Sequence, residues 1–338
     1  MNGAKISIVT PTLKRPDEIR AFLANVRLQS LQPFEIVIVD GLTGVRSETE
    51  DVVEEIKNDY PISINYIRHT GGTAIQRNVG IEAAQGDLIA FVDDDVRLDP
   101  DFLLNVMNAF SADTNRTVGG IVGYRKNRHF SPSNSERWRW YKRLNLLSVY
   151  EPGRYDFECG YPINSNMQPP FSGTRTVDFM TTACAVWRKE VFASGLRFHP
   201  FFRDYGVLED AHLSLRAGKK WDLLQCGDAL CEELNSPNGR SGRRQIGYKC
   251  VVNYYFVFRD VVGPLTAAHK FRFWRYQAFE LLRITVSAVR RRNWGDVLDI
   301  QGRVQGAIRI FRGLEEDSKD AGIDGSRPSF GVTKEESL

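Results

Sequence analysis

The sequence predicts an α/β fold, a mostly parallel sheet flanked by helices, with a C-terminal helical extension. Three observations predict it. Short β-branched runs alternate with helical patterns through the first 125 residues, a sustained helical pattern begins at Thr266, and 338 residues with 42% hydrophobic composition suffice to bury a sizeable core.

Ile6 to Val9 reads as the first strand. Pro16 then opens a helix, because proline suits a first helical turn and Ile19, Phe22, Leu23 and Val26 recur at spacings of three and four. Glu35 to Val39 is the second strand, followed by a helix around Val52, Val53 and Ile56, a strand near Ile62 to Ile67, and a helix from about Thr73 to Ala84. Leu88 to Val92 is the fourth strand. Asp99-Pro100 starts a helix carrying Phe102, Leu103, Val106 and Met107, and Thr117 to Val122 makes a fifth strand. Residues 126–177 change character, with Trp138, Trp140, Tyr141, Tyr150, Tyr155 and Tyr161 among prolines and glycines, an excursion that shapes a site. Val177 to Trp187 resumes a strand-like pattern and leads into a short helix at Lys189 to Phe192. Gly206 to Arg216 carries an acidic turn and a helix, Gly239 to Arg244 a basic, glycine-rich loop, and the tail from Glu315 is polar, without periodicity, and expected to be mobile.

Composition narrows the function. A formal net charge of +3 is too small for a nucleic-acid binder. The longest apolar stretch, Val251 to Phe258, is far short of a membrane span, and the N-terminus enters its first strand directly, without a signal peptide. Five cysteines, an odd number with no Cys-x-x-Cys pair, argue against a disulfide framework or a zinc site and suggest a reducing cytosol. Between Ala268 and Gly313, ten Lys and Arg residues face Glu280, Asp296 and Asp299 alone, interleaved with Phe271, Phe273, Trp274 and Leu282. Such helices either lie against anionic headgroups or pack their apolar face on the domain with the arginines solvated.

The chemistry concentrates at strand ends. Asp93, Asp94 and Asp95 follow the buried run Phe91-Val92 and so stand at the carboxyl edge of the sheet, where open α/β sheets bind ligands. Three adjacent acids repel one another, and a divalent cation bridging two phosphates relieves that repulsion. Asp40 ends the second strand beside Thr10-Pro11-Thr12 at the end of the first, placed to accept hydrogen bonds from a base or ribose or else to cap a turn. Glu209-Asp210 offers a general base or a helix-capping pair. Arg240, Arg243 and Arg244 suit a phosphate clamp in a closing loop, while Trp138, Trp140 and His212 are candidate acceptor contacts.

These motifs resemble those of family 2 glycosyltransferases, which have the GT-A fold, a Rossmann-like sheet, and transfer sugars from nucleotide diphosphate donors with inversion. The resemblance rests on Ile8-Val9-Thr10-Pro11-Thr12, Val37-Ile38-Val39-Asp40, Gly71 to Gly80, Gly86 to Phe91 leading into the three aspartates, Val186 to Phe192, and Leu208 to Leu213, and covers roughly residues 5–230. It implies that Thr10, Pro11, Thr12, Asp40, Arg77, Asp93 and Asp94 hold the donor nucleotide, that Asp93 and Asp95 bind Mn2+ or Mg2+, and that Asp210, with Glu209, is the base toward the acceptor hydroxyl. It implies a nucleotide-diphospho-sugar donor and a glycan or lipid-linked glycan acceptor in cell-surface polysaccharide or glycolipid assembly. The expected division is a catalytic domain over 1–262, with a nucleotide-binding half (1–125) and an acceptor-binding half with a closing loop (126–262), a helical segment over 263–313 and a tail over 314–338. The expected location is cytoplasmic, either free or peripheral on the inner face of the cytoplasmic membrane. The Gln-x-x-Arg-Trp motif of processive synthases is absent, which suggests one sugar per reaction. The alternatives are a sugar-phosphate nucleotidyltransferase, whose glycine-rich loop after the first strand is missing, and a non-catalytic carbohydrate-binding protein, which would have shed these acids.

Overall fold

The computed structural model describes residues 3–132, 135–202, 206–234 and 242–313. The chain begins with β1 (Ile6–Thr12), α1 (Pro16–Val26), β2 (Glu35–Asp40), α2 (Glu48–Lys57), β3 (Ser63–Arg68), α3 (Gly72–Ala83) and β4 (Leu88–Val92). Strands β1, β2 and β4 are buried at every residue, as expected of parallel strands covered on both faces. Next come β5 (Val96–Leu98), α4 (Phe102–Ala112), β6 (Val118–Arg125), α5 (Glu136–Arg143), β7 (Tyr155–Asp156), β8 (Tyr161–Pro162), β9 (Thr174–Thr176), β10 (Cys184–Arg188) and α6 (Lys189–Ala193). The last elements are α7 (Glu209–Ala217), β11 (Asp222–Glu233), α8 (Arg243–Val262), α9 (Ala267–Arg291) and α10 (Trp294–Phe311).

One mixed sheet runs in the order β3-β2-β1-β4-β10-β6-β11-β5, with β9 paired to β11. Strand β10 is antiparallel to both β4 and β6, so β6 runs the same way as β4, and β11 is parallel to β6. Six strands, β1, β2, β3, β4, β6 and β11, therefore point their carboxyl ends at one edge. The antiparallel β10 sends the residues before it to that same edge.

The C-terminal segment presents one packed and one exposed apolar face. α9 buries Phe273, Tyr276, Ile284 and Ala288 but leaves Phe271, Leu282, Val286 and Val289 exposed. Glycines let α10 approach α8 closely, since a Cβ at Gly302 would overlap the Arg244 carbonyl and one at Gly247 the Asp299 carbonyl. A second, smaller core forms where Trp138, Tyr141 and Leu147 meet Tyr276 of α9. The five cysteines are free thiols. Among the described residues no helix is long and apolar enough to cross a membrane. The tail expected over 314–338 lies outside the described residues.

Candidate active site

The carboxyl edge opens into a cleft of about 690 Å3 whose walls come from the ends of β1, β4, β6 and β11 and the starts of α3 and α7. After β4 the chain turns at once, the Val96 N–H donating to the Asp93 carbonyl at 3.0 Å, so three successive carboxylates meet different neighbours. Asp94 is buried. It accepts the Thr12 hydroxyl at 2.8 Å and the Arg15 guanidinium at 2.6 Å, tying the acidic turn to β1 and α1. Burial outweighs both partners and pushes its carboxyl up to about 6. Asp93 takes Arg77 at 2.8 Å and remains 32% exposed at its side chain, while Asp95 lines the cleft at 7% exposure.

Arg77 projects from α3, which starts at Gly71-Gly72, two positive-φ positions that leave the backbone free to turn into the helix. Its guanidinium is almost wholly buried and reaches Asp93 at 2.8 Å and Glu209 at 3.2 Å, over the ring of Phe198. One cation thus joins the acidic turn after β4 to the first residue of α7. Leu208, just before α7, sits at φ 69°, a strained setting for a residue with a Cβ. The turn is held from α8, where the Asn253 side chain donates to the Val207 carbonyl at 2.9 Å. A Cβ on Gly206 would collide with the Glu209 carboxylate, so glycine makes room for it.

Asp210 follows, its Oδ1 accepting the Ala211 N–H at 2.7 Å. Burial first and the Glu209 charge second raise its carboxyl to about 7, against the pull of that N–H, Arg77 and Arg125. A carboxyl that changes charge near neutrality suits a general base. On the far wall Arg125 and Arg128 grip Glu233 at 2.7 and 2.6 Å. Burial alone would raise the Glu233 carboxyl, but the two guanidiniums overcome it and hold it below the usual range.

Among the described residues no group of three or more His, Cys, Asp and Glu forms a closed metal cage. Asp93 and Asp95 are two hard oxygen donors on one cleft, a set that fits Mg2+ or Mn2+ when substrate phosphates complete the shell.

A family model described as glycosyl transferase family 2 matches residues 7–194, more than half of the chain. The chain belongs to glycosyltransferase family 2. Curated relatives include the succinoglycan biosynthesis protein ExoW of Rhizobium meliloti, 31% identical over 153 residues, covering 42% of this chain and 46% of that protein. Another is the glucosyl-dolichyl phosphate glucuronosyltransferase of Haloferax volcanii, 26% identical over 121 residues, covering 35% and 38%. The chain spans 29 to 35% of the length of three further bacterial relatives. The mannosyltransferase PcManGT of Pyrobaculum calidifontis, solved with GDP-Man and Mn2+, superimposes at a TM-score of 0.54 and 14% identity over 90% of this chain and 87% of that one, a likeness of fold.

In this family 2 chain, Pro11, Thr12, Arg77, Glu209, Asp210 and the three aspartates share one cleft. Thr10 is fully buried behind them, its hydroxyl without a hydrogen-bond partner among the described residues. Asp40 is fully buried as well, and its carboxylate accepts the Leu42 N–H at 2.9 Å, the Ser47 hydroxyl at 2.7 Å and the Tyr66 hydroxyl at 2.6 Å. Its oxygens are taken by the turn after β2 and by Tyr66 of β3.

Several expectations need correction. Arg243 and Arg244 occupy the first turn of α8, where Arg244 donates to Gln305 of α10 at 3.0 Å and Arg243 lines a neighbouring cavity, so Gly242 and Gln245 reach the cleft in their place. Arg240 lies outside the described residues. Trp138 is 4% exposed in the second core and has no face to stack on a sugar. Trp140 is exposed, but on a groove beside α9 rather than in the cleft. His212 is neither an acceptor contact nor a surface histidine. It is fully buried among Phe202, Phe256 and His199 and pairs with Asp260 at 2.8 Å, pinning α7 to α8.

The sequence reading missed Gln76, Arg125, Thr182 and Glu233. Gln76 donates to the carbonyls of Thr12 and Val39, both at 2.8 Å, locking together the ends of β1 and β2. Arg125 and Glu233 had a usable signal, a charge standing as the last residue of a strand.

Proposed function

We propose that this family 2 protein transfers a single sugar, with inversion, from a nucleotide diphosphate donor to an acceptor hydroxyl in polysaccharide or glycolipid assembly. The observation that carries the reading is the Arg77 bridge, which places a carboxyl titrating near neutrality in the same cleft as the acidic turn. The names of the Rhizobium and Haloferax relatives and the GDP-Man and Mn2+ of PcManGT support the pathway and donor class.

In this reading Asp210 accepts the proton of the acceptor hydroxyl as its oxygen attacks the anomeric carbon, and the diphosphate leaves from the opposite face. Glu209, tied to Arg77, raises the basicity of Asp210 by its charge and fixes the start of α7. Pro11, Thr12 and Gln76 shape the nucleoside end of the cleft, and Asp40 holds the turn beside it. Asp93 and Asp95 would hold a Mn2+ or Mg2+ ion, which supplies charge neutralisation at the departing diphosphate. Arg125 adds positive charge to the same wall.

Calorimetric titration with uridine, guanosine and thymidine diphosphates, with and without Mn2+, tests the donor site. One nucleotide should bind in a metal-dependent way, and Asp95→Asn should weaken it by about tenfold or more, the worth of one charged ligand. Absence of binding to all three overturns the reading. We also place the exposed apolar and basic face of α9 and α10 against the anionic inner leaflet, because Phe271, Leu282, Val289 and Trp294 lie exposed among arginines.

A further inference from the structure

Beside the catalytic cleft, α5, α8, α9 and α10 enclose a second cavity of about 560 Å3 that no step of the proposed reaction uses. Its lining is strongly polar and cationic: Arg137, Arg243, Arg283, Arg291 and Arg303 against Glu280, Asp296 and Asp299. The acids do not neutralise it. Glu280, 1% exposed, is shared by Arg137 at 3.1 Å and Arg283 at 3.0 Å, Asp299 holds Arg303 at 2.8 Å, and Asp296 accepts the Ser287 hydroxyl at 2.8 Å. Among the described residues no carboxylate lies within ion-pair distance of Arg243 or Arg291. Tyr161, Tyr254 and Tyr276 complete the walls with rings and hydroxyls.

A groove of about 1010 Å3 between α5 and α9 adjoins this cavity, and its character is opposite. Trp140, Leu144, Phe279, Leu282 and Val286 give it an apolar lining, with Trp140 45% and Leu282 62% exposed. Arg137, Arg283, Ser287 and Arg291 line both spaces, so the basic cavity and the apolar groove meet along one seam. The cavity and the catalytic cleft share no lining residue, but both are lined from the start of α8. In the first turn of α8, Gly242 and Gln245 line the cleft and Arg243, between them, lines the cavity. Groove and cavity thus share a wall, and the start of α8 links the cavity to the cleft.

We propose that the cavity and groove bind one amphiphile, with a phosphate or diphosphate head among the arginines and an apolar chain in the groove, and that this is the lipid carrier of the acceptor. Guanidinium forks suit phosphate oxygens, and the spare charge of Arg243 and Arg291 is what an anionic head would complete. The order of the three spaces orients the ligand, so that a glycan attached to the head projects past Arg243 toward Asp210. The inference rests on the transfer reaction proposed above and names its acceptor class.

The test is equilibrium binding to the full chain of a soluble short-chain prenyl diphosphate, inorganic diphosphate and the uncharged prenyl alcohol. The prenyl diphosphate should bind saturably and at least about tenfold more tightly than either half alone, since each buried methylene adds to the charge contacts. Arg291→Gln and Leu282→Gln, both at exposed positions, should each weaken it by about tenfold or more. Inorganic diphosphate binding as tightly as the amphiphile overturns the lipid assignment in favour of a free anion, and binding that is absent or indifferent to both substitutions overturns the site. Nucleotide diphosphate titration of the same preparation reports on the donor cleft separately, so a failure of the donor reading is told apart from a failure of this one.

Discussion

Asp210 owes its chemistry to its surroundings. Burial and the neighbouring Glu209 raise its carboxyl from 3.8 to about 7, so the proposed base is half protonated near neutral pH. The rate kcat/KM should fall about tenfold per pH unit below that value, and Asp210→Asn should lower kcat by about 10^2 to 10^4 and abolish this limb of the profile. Stability carries the opposite sign. A carboxyl whose pKa rises on folding favours the fold fully below 3.8, and that contribution is lost as pH rises through about 7. Thermal melts should therefore show Asp210→Asn matching the parent at pH 4 and exceeding it in Tm at pH 8. Equal melting temperatures at both pH values would show that the carboxyl is not raised. Asp94 shows why residue types alone did not assign roles within the acidic triplet. All three carboxylates share one chemistry in sequence and line one cleft, and only their partners, Thr12 and Arg15 at Asp94 and Arg77 at Asp93, tell them apart.

Among the elements, the regular ones were legible and the irregular ones were not. The first four strands and their helices announced themselves by period, and the structure places them within a few residues of expectation. Strand β11 went unread because Gly227-Asp228 interrupts it, its pairing with β6 shifts register, and it alternates poorly while serving β6, β5 and β9 in turn. Helix α8 went unread as well, its apolar run having been weighed only as a membrane span. It is covered on several sides, by α7, α9 and α10, so it lacks a clean polar face. Its closeness to α10 is testable. Gly302→Ala drives a methyl into the Arg244 backbone carbonyl, and denaturant unfolding should show a loss of about 1 to 3 kcal/mol. An unchanged midpoint would mean that the two helices separate without cost.

Taken whole, the molecule has an N-terminal part written in motifs and a C-terminal part written in shape. The family model covers residues 7–194 and ends before Glu209 and the C-terminal helices, which supply most of the walls of the second cavity. Candidate acceptor residues were therefore the least legible part of the site. Tryptophans and histidines look alike in sequence whether they pack or bind, and Trp138 and His212 pack. The exposed face of α9 and α10 makes a prediction at this scale. The full chain should sediment with anionic vesicles at low ionic strength, stay in solution with neutral ones, and be released as salt rises past about one Debye length of screening. Val289→Asp should reduce the bound fraction. Equal recovery from neutral and anionic vesicles would remove the electrostatic part of the claim.

The bridge made by Arg77 also bears on how such a protein can change over generations. Asp93 and Glu209 stand on different elements, yet both answer to one guanidinium that is almost out of reach of water. Losing either partner of a buried ion pair is far more damaging, by about 3 to 5 kcal/mol, than exchanging the whole set for groups that fit one another. A change at any one of the three should therefore be tolerated only with a matching change at the other two, however far apart the codons lie.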